Sequence, residues 1–236
     1  MYTPISAGHA AKETPRTIEQ ASIDELVGKA KAWLDQYGDY DDAFAMAEEI
    51  VTTPDVAGLL AIHPTLQQHE RYSGLGHFIS ALWNQCRPEK IITYDHVTPE
   101  IDYLGYRLPA HKVLIVRGDA GSAVAMKAKG LVIIQGVAGI RSFAEARGTL
   151  IVQGKLQREL GYRIKGAVIA LTPTSPGQDF WGKKITWQQY TRNAALKEYV
   201  DRLLGLAKDN PAAIETEFGN GIAITERINE LTRRLH

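Results

Sequence analysis

The sequence predicts an α+β fold: a short three-sided β-helix, or β-solenoid, of about 18 residues per coil, capped by helical segments at both ends. Three observations predict it. Three blocks align without a gap: VLIVRGDAGSAVAMKAKG from Val113, LVIIQGVAGIRSFAEARG from Leu131 and TLIVQGKLQRELGYRIKG from Thr149. Glycine recurs in register at Gly118, Gly136 and Gly154, and again at Gly130, Gly148 and Gly166. Each block opens on an apolar, largely β-branched run ended by glycine, which suits a strand and lacks the 3.6-residue period of an amphipathic helix. A hairpin meander could use similar strands but does not demand register. A solenoid does, because each coil lies about 4.8 Å above its predecessor and corner glycines are expected to take positive φ at matching places.

In chain order, residues 1–20 read as a polar, flexible arm. Residues 21–87 read as a helical cap. Ser22 and Glu25 form a capping-box signal, and Ile23, Leu26, Val27, Ala30, Trp33 and Leu34 make one apolar face of a helix over 22–37. A second helix is expected over 41–52 with Phe44, Ala47, Ile50 and Val51 inward, a short third between Pro54 and Pro64, and a fourth over 66–83. Residues 88–112 form a turn-rich lead-in with a strand at Ile91–Tyr94 and an incomplete coil around Leu108 and Ala110. The solenoid proper spans 113–171 and ends at the turn signal Thr172-Pro173-Thr174-Ser175-Pro176-Gly177. A C-terminal helical cap, 172–236, opens with a helix over 186–208 and carries Leu196, Tyr199, Val200, Leu203 and Leu204 on one stripe.

Composition bounds the function. The chain has 236 residues, 44% hydrophobic, with equal numbers of basic and acidic residues and one cysteine. A single Cys86 excludes an internal disulfide scaffold, and no zinc-ligand spacing accompanies it. The apolar runs fall far short of the roughly 20 residues needed to cross a bilayer, and the N-terminus lacks the pattern of a secretory signal, so a cytoplasmic protein without membrane partners is expected. The neutral total argues against a dedicated nucleic-acid binder.

The stretches Val116-Arg117-Gly118-Asp119-Ala120-Gly121 and Ile134-Gln135-Gly136-Val137-Ala138-Gly139, joined through Met126-Lys127 and Gly130, resemble the repeats of the GXGXG right-handed β-helix superfamily. The C-terminal domain of the glutamate synthase large subunit and one of the subunits of formylmethanofuran dehydrogenase belong to it. The likeness covers 113–171. It implies a structural, interdomain role for the β-helix, with chemistry in neighbouring domains or subunits. Spacing alone leaves handedness open, since left-handed hexapeptide helices have coils of the same length. Enzymes of that left-handed type present histidines from their coils, whereas 113–171 contains none.

Charge is unevenly spread. Residues 112–166 hold ten Lys and Arg against three acids, while 22–51 hold eight acids against two lysines. Lys129, Arg147 and Lys165 each precede a corner glycine, so the register stacks them along one edge, either as a solvated face or as a site for an anion or acidic partner. Stepping by six from Leu114 and Val116 gives an inward track that includes Ala138/Ile140 and Tyr162/Ile164 and puts Arg158 inside. There a charge requires a bulge, a buried acid or a bound anion. His63, His69 and His77, Gly74-Leu75-Gly76, Asp95-His96 and Cys86 read as structural, and Trp181 and Trp187 as packing of the C-terminal cap.

No catalytic constellation, metal site or cofactor is expected. The sequence therefore predicts a non-catalytic structural or interaction module, self-associating or acting as a scaffold subunit for a protein partner. The alternative is an enzyme or enzyme subunit that binds a small anionic or one-carbon substrate where solenoid and helical cap meet.

Overall fold

The computed structural model describes residues 22–36, 38–86, 89–95, 101–157, 162–172 and 183–233; the arm expected over 1–20 lies outside them. Helices α1 (Ile23–Asp35), α2 (Tyr40–Ala47), α3 (Pro54–Leu59), α4 (Pro64–Gln67) and α5 (Leu75–Gln85) come first. The strands β1 (Ile91–Tyr94), β2 (Val113–Val116), β3 (Leu131–Ile134), β4 (Thr149–Val152), β5 (Ala167–Ala170) and β6 (Lys183–Ile185) follow, and then α6 (Trp187–Arg192), α7 (Ala194–Asp209), α8 (Ala213–Phe218) and α9 (Gly221–Thr232). The chain is an α+β fold: a parallel β-solenoid of about four turns, about 18 residues per coil, flanked by helices at both ends. Among the described residues no helix is long and apolar enough to cross a membrane.

The strands pair in the order β1-β2-β3-β4-β5-β6. Val113 faces Leu131, Leu131 faces Thr149 and Thr149 faces Ala167, so the register repeats the spacing of the three aligned blocks. The sheet begins before the 113–171 repeat and ends after it, because β1 pairs with β2 and β6 with β5. Leu108 and Lys112 accept from the Lys129 and Leu131 amides, the places that Ala128 and Gly130 take for Arg147 and Thr149 one coil later. The register from Ile91 to Val113 makes this leading coil four residues longer than the 18 of its successors, and two of the extra residues fall among Pro109–His111, which hides it from a gapless alignment.

Both faces of β2 to β5 are buried. Leu114, Val116, Val132, Ile134, Leu150 and Val152 fill the solenoid interior, and this core continues into Leu75, Phe78, Ile79 and Leu82 of α5 and Leu26 and Trp33 of α1. The alternate residues, Val113, Ile115, Leu131, Ile133, Ile151 and Ile169, form a second core under Leu196, Val200, Leu203, Ile224 and Ile228. The C-terminal helices thus lie along the outer face of the sheet, and near-continuous apolar strands are what a parallel sheet covered on both faces needs.

Two expectations about the coils are corrected. None of the six matched corner glycines has positive φ; among the described glycines only Gly105 and Gly219 do. What the corners demand is close approach. A Cβ on Gly148 or Gly166 would lie 1.9 Å from the carbonyl oxygen of Gly130 or Gly148, and one on Gly154 would lie 2.3 Å from that of Gly136. The left-handed positions belong to the third side of each coil and mostly carry side chains: Tyr103, Gly105 and Arg107, then Ala123, Ala125 and Lys127, then Arg141, Phe143 and Glu145, then Arg163. Such residues cost about 1–3 kcal/mol each. Here the cost is offset by amides that bond to neighbouring coils, as Ala125 to Leu104, Phe143 to Val124 and Lys127 to Ala144.

The second correction follows from the first. A left-handed residue at every other place abolishes the strand rule that i and i+2 share a side. Val124 and Phe143 point inward, while Ile140 is 44% and Tyr162 is 42% exposed. On this side the track holds at Ala128, Ala146 and Ile164, which are buried, but fails at Tyr162 and misses Val124 and Phe143.

Helix ends follow local chemistry. Ser22 accepts from the Glu25 amide, and Asp39 and Asp42 form a reciprocal capping box on α2. α2 stops at Ala47, and Val51, expected inward, is 43% exposed. The helix expected over 66–83 is broken by a 3₁₀ turn at Tyr72–Gly74, and the one over 186–208 is interrupted at Asn193, whose side chain caps α7. Trp187, at the start of α6, is exposed rather than packed; Trp181 lies outside the described residues.

Candidate functional site

Where the solenoid meets α2 and α5 the surface opens into a cleft of about 650 Å³. The left-handed ladder supplies one wall. Arg107, Lys127 and Glu145 occupy matching places on three successive coils, and Lys129 and Arg147 stand two residues further along. The opposite wall is Tyr40, Asp41 and Phe44 of α2, with Asn84 of α5 contributing from the cap.

The register brings the cations together. Lys129 and Arg147 are anchored by amide bonds to Leu108 and Ala128, and Lys165 by one to Ala146. All three are exposed, and no hydrogen-bonded or ion-paired side-chain partner is found for them among the described residues. Lys129 and Arg147 line the cleft; Lys165, one coil further, lies outside its lining. Arg158 lies outside the described residues. The positions sharing its register are Ser122, half-buried, and Ile140, exposed, so the inward track that singled it out does not hold for the preceding coils.

Arg107 is tied to a carboxylate, through an ion pair with Asp41. Its guanidinium also lies 5.1 Å from the Tyr40 ring centre and 5.5 Å from that of Tyr106. The Lys127 ammonium lies 5.6 Å from Tyr106. The acidic N-terminal stretch neutralises little of this wall, because several of its acids are otherwise engaged: Asp39 and Asp42 cap α2, Asp35 pairs with His69 and Glu25 with Lys29.

Behind the basic wall the cleft rests on a polar and aromatic base. Asn84 donates from Nδ2 to the Tyr40 hydroxyl at 2.7 Å and to the Tyr106 carbonyl at 3.0 Å. Its Oδ1 is buried without a partner among the described residues. Burial pushes the Tyr40 phenol up to about 12, so it stays protonated at neutral pH. His77 stacks on Tyr103 at 4.0 Å and meets Tyr106 edge-on at 4.7 Å.

Burial drives the His77 imidazole down to about 4; Arg107 and Lys127 add to the fall and Asp39 opposes it. The unfolded chain then takes up this proton near 6.5 and the native protein only near 4, so acidification through that window weakens the fold. Urea midpoints at pH 7 and pH 4.5 test this. His77→Phe should remove about 2 kcal/mol of the wild-type loss between the two pH values; an unchanged loss contradicts the assignment.

Comparison of the chain with protein-family models, with curated proteins and with solved structures returns no match. The site therefore stands on its own geometry.

The remaining candidates have structural surroundings. Asp95 pairs with Arg117 at 3.4 Å, while His96 is outside the described residues. Cys86 is buried, donates to the Thr52 carbonyl, and burial pushes its thiol up to about 11. Gly76 sits under the Asp102 carbonyl, where a Cβ would come within 1.9 Å. Sequence reasoning found Lys129 and Arg147 but missed Arg107 and Lys127. Arg107 is masked by the insertion in the leading coil, and Lys127 shares its column with Glu145, so no run of like charge marks it. Tyr40, Phe44 and Asn84 reach the site only through long-range packing.

Proposed function

We propose that this chain is a non-catalytic binding module: a rigid β-solenoid that holds an anionic ligand or acidic partner group in the cleft between its third side and the N-terminal helices. The observation that carries this reading is that Lys127, Lys129 and Arg147, from two adjacent coils, face one cleft with no carboxylate paired to any of them among the described residues. Like charges held near 5 Å repel by up to roughly 1 kcal/mol per pair in water, and an anion between them relieves that repulsion. The groups suit holding better than bond-making. Lysine and arginine are protonated at neutral pH, and the Tyr40 hydroxyl is retained as a donor.

A resemblance to the GXGXG β-helices supports the same role, since there the helix serves as a platform. Titration of the protein with pyrophosphate tests the reading by calorimetry. One saturable site per chain is expected, weakening several-fold from about 50 to about 200 mM salt as screening grows. Absence of binding at millimolar pyrophosphate in low salt overturns it.

A further inference from the structure

The cleft is larger and more varied than an anion alone requires. At about 650 Å³ it falls within the range of pockets that enclose ligands of drug size. Its two walls differ in chemistry. The solenoid side offers ammonium and guanidinium groups, whereas α2 offers the half-buried ring of Phe44 beside Tyr40, with their centroids 5.9 Å apart. An aromatic ring left half-open in a cleft is a surface on which a second flat ring can stack.

Resting on the anion-binding reading, we propose that the ligand is a nucleoside diphosphate or triphosphate, its phosphates on Lys129 and Arg147 and its base against Phe44. The two requirements are polyanionic charge and a flat ring, and this class of molecule meets both within one cleft.

The test compares ADP with pyrophosphate by calorimetry on the full chain. ADP is expected to bind at least 10-fold more tightly. Phe44→Ala should reduce that advantage to under 3-fold while leaving pyrophosphate affinity unchanged. Should Phe44→Ala fail to fold, saturation-transfer NMR on the wild type decides instead: adenine H2 and H8 must receive magnetisation from the protein. Equal affinities for ADP and pyrophosphate, or no transfer to the base, overturn the nucleotide assignment and leave the anion site standing. Failure of both ligands to bind overturns the site itself.

Discussion

Gly148→Ala should leave the protein largely unfolded at 25 °C or lower its stability by about 4 kcal/mol, against a usual total of about 5–15 kcal/mol. The new methyl would lie 1.9 Å from the Gly130 carbonyl oxygen and 2.7 Å from the Lys129 carbonyl carbon. These are backbone atoms of the coil below, held in turn by the pairing of β3 with β4. No rotamer change relieves the clash, so the coils must separate at this corner. Because Gly166 stands in the same relation to Gly148, any shift is passed on to the next coil. Gly28→Ala is the control. Nothing lies within 4 Å of a Cβ there, and alanine in a helix interior is expected to stabilise by about 0.5–1 kcal/mol. Thermal unfolding of the two variants reads the difference. A Gly148→Ala protein as stable as wild type would refute the close-packed corner.

This glycine column shows what was legible in the sequence and what was not. Register is a local property repeated in every coil, so the alignment of Gly130, Gly148 and Gly166 revealed the stack directly. The reason for glycine was not legible. A left-handed turn and a backbone under a neighbouring carbonyl both exclude side chains, and only the three-dimensional stack separates them. The third side was misread because Ala123, Ala125 and Lys127 take left-handed φ, which no strand periodicity reports. Half of the cleft was legible, as Lys129 and Arg147. The wall formed by Tyr40 and Phe44 depends on packing between segments far apart in the chain, and nothing in its local spacing reveals it.

Lys112→Met should cost about 3 kcal/mol, the largest loss expected from any single change in the contact between helical cap and solenoid. Lys112 takes the place in the leading coil that Gly130 takes in the next. The Lys112 side chain runs into the cap, is 1% exposed, and donates from Nζ to the Trp83 and Cys86 carbonyls at the C-terminus of α5. The ammonium satisfies carbonyls that the helix leaves unpaired and sits at the negative end of its dipole. Burial lowers the pKa of Lys112, with Cys86 and Glu89 opposing. Methionine keeps the stem but strands two buried carbonyls, each worth about 1–3 kcal/mol. Denaturant midpoints with unchanged slope provide the measurement. A loss under about 1 kcal/mol would show that this lysine does not join the cap to the solenoid.

If successive coils place Lys129 and Arg147 together to hold an anion, removing both charges must remove the binding. The most direct measurement is the pyrophosphate dissociation constant of Lys129→Glu/Arg147→Glu beside that of the wild type, with thermal unfolding as a check on folding. Both side chains are exposed and lack ion-pair partners among the described residues. Reversing them should therefore leave the melting temperature within a few degrees while weakening binding at least 100-fold. Equal dissociation constants for the folded double variant and the wild type would contradict an anion site built on these two coils.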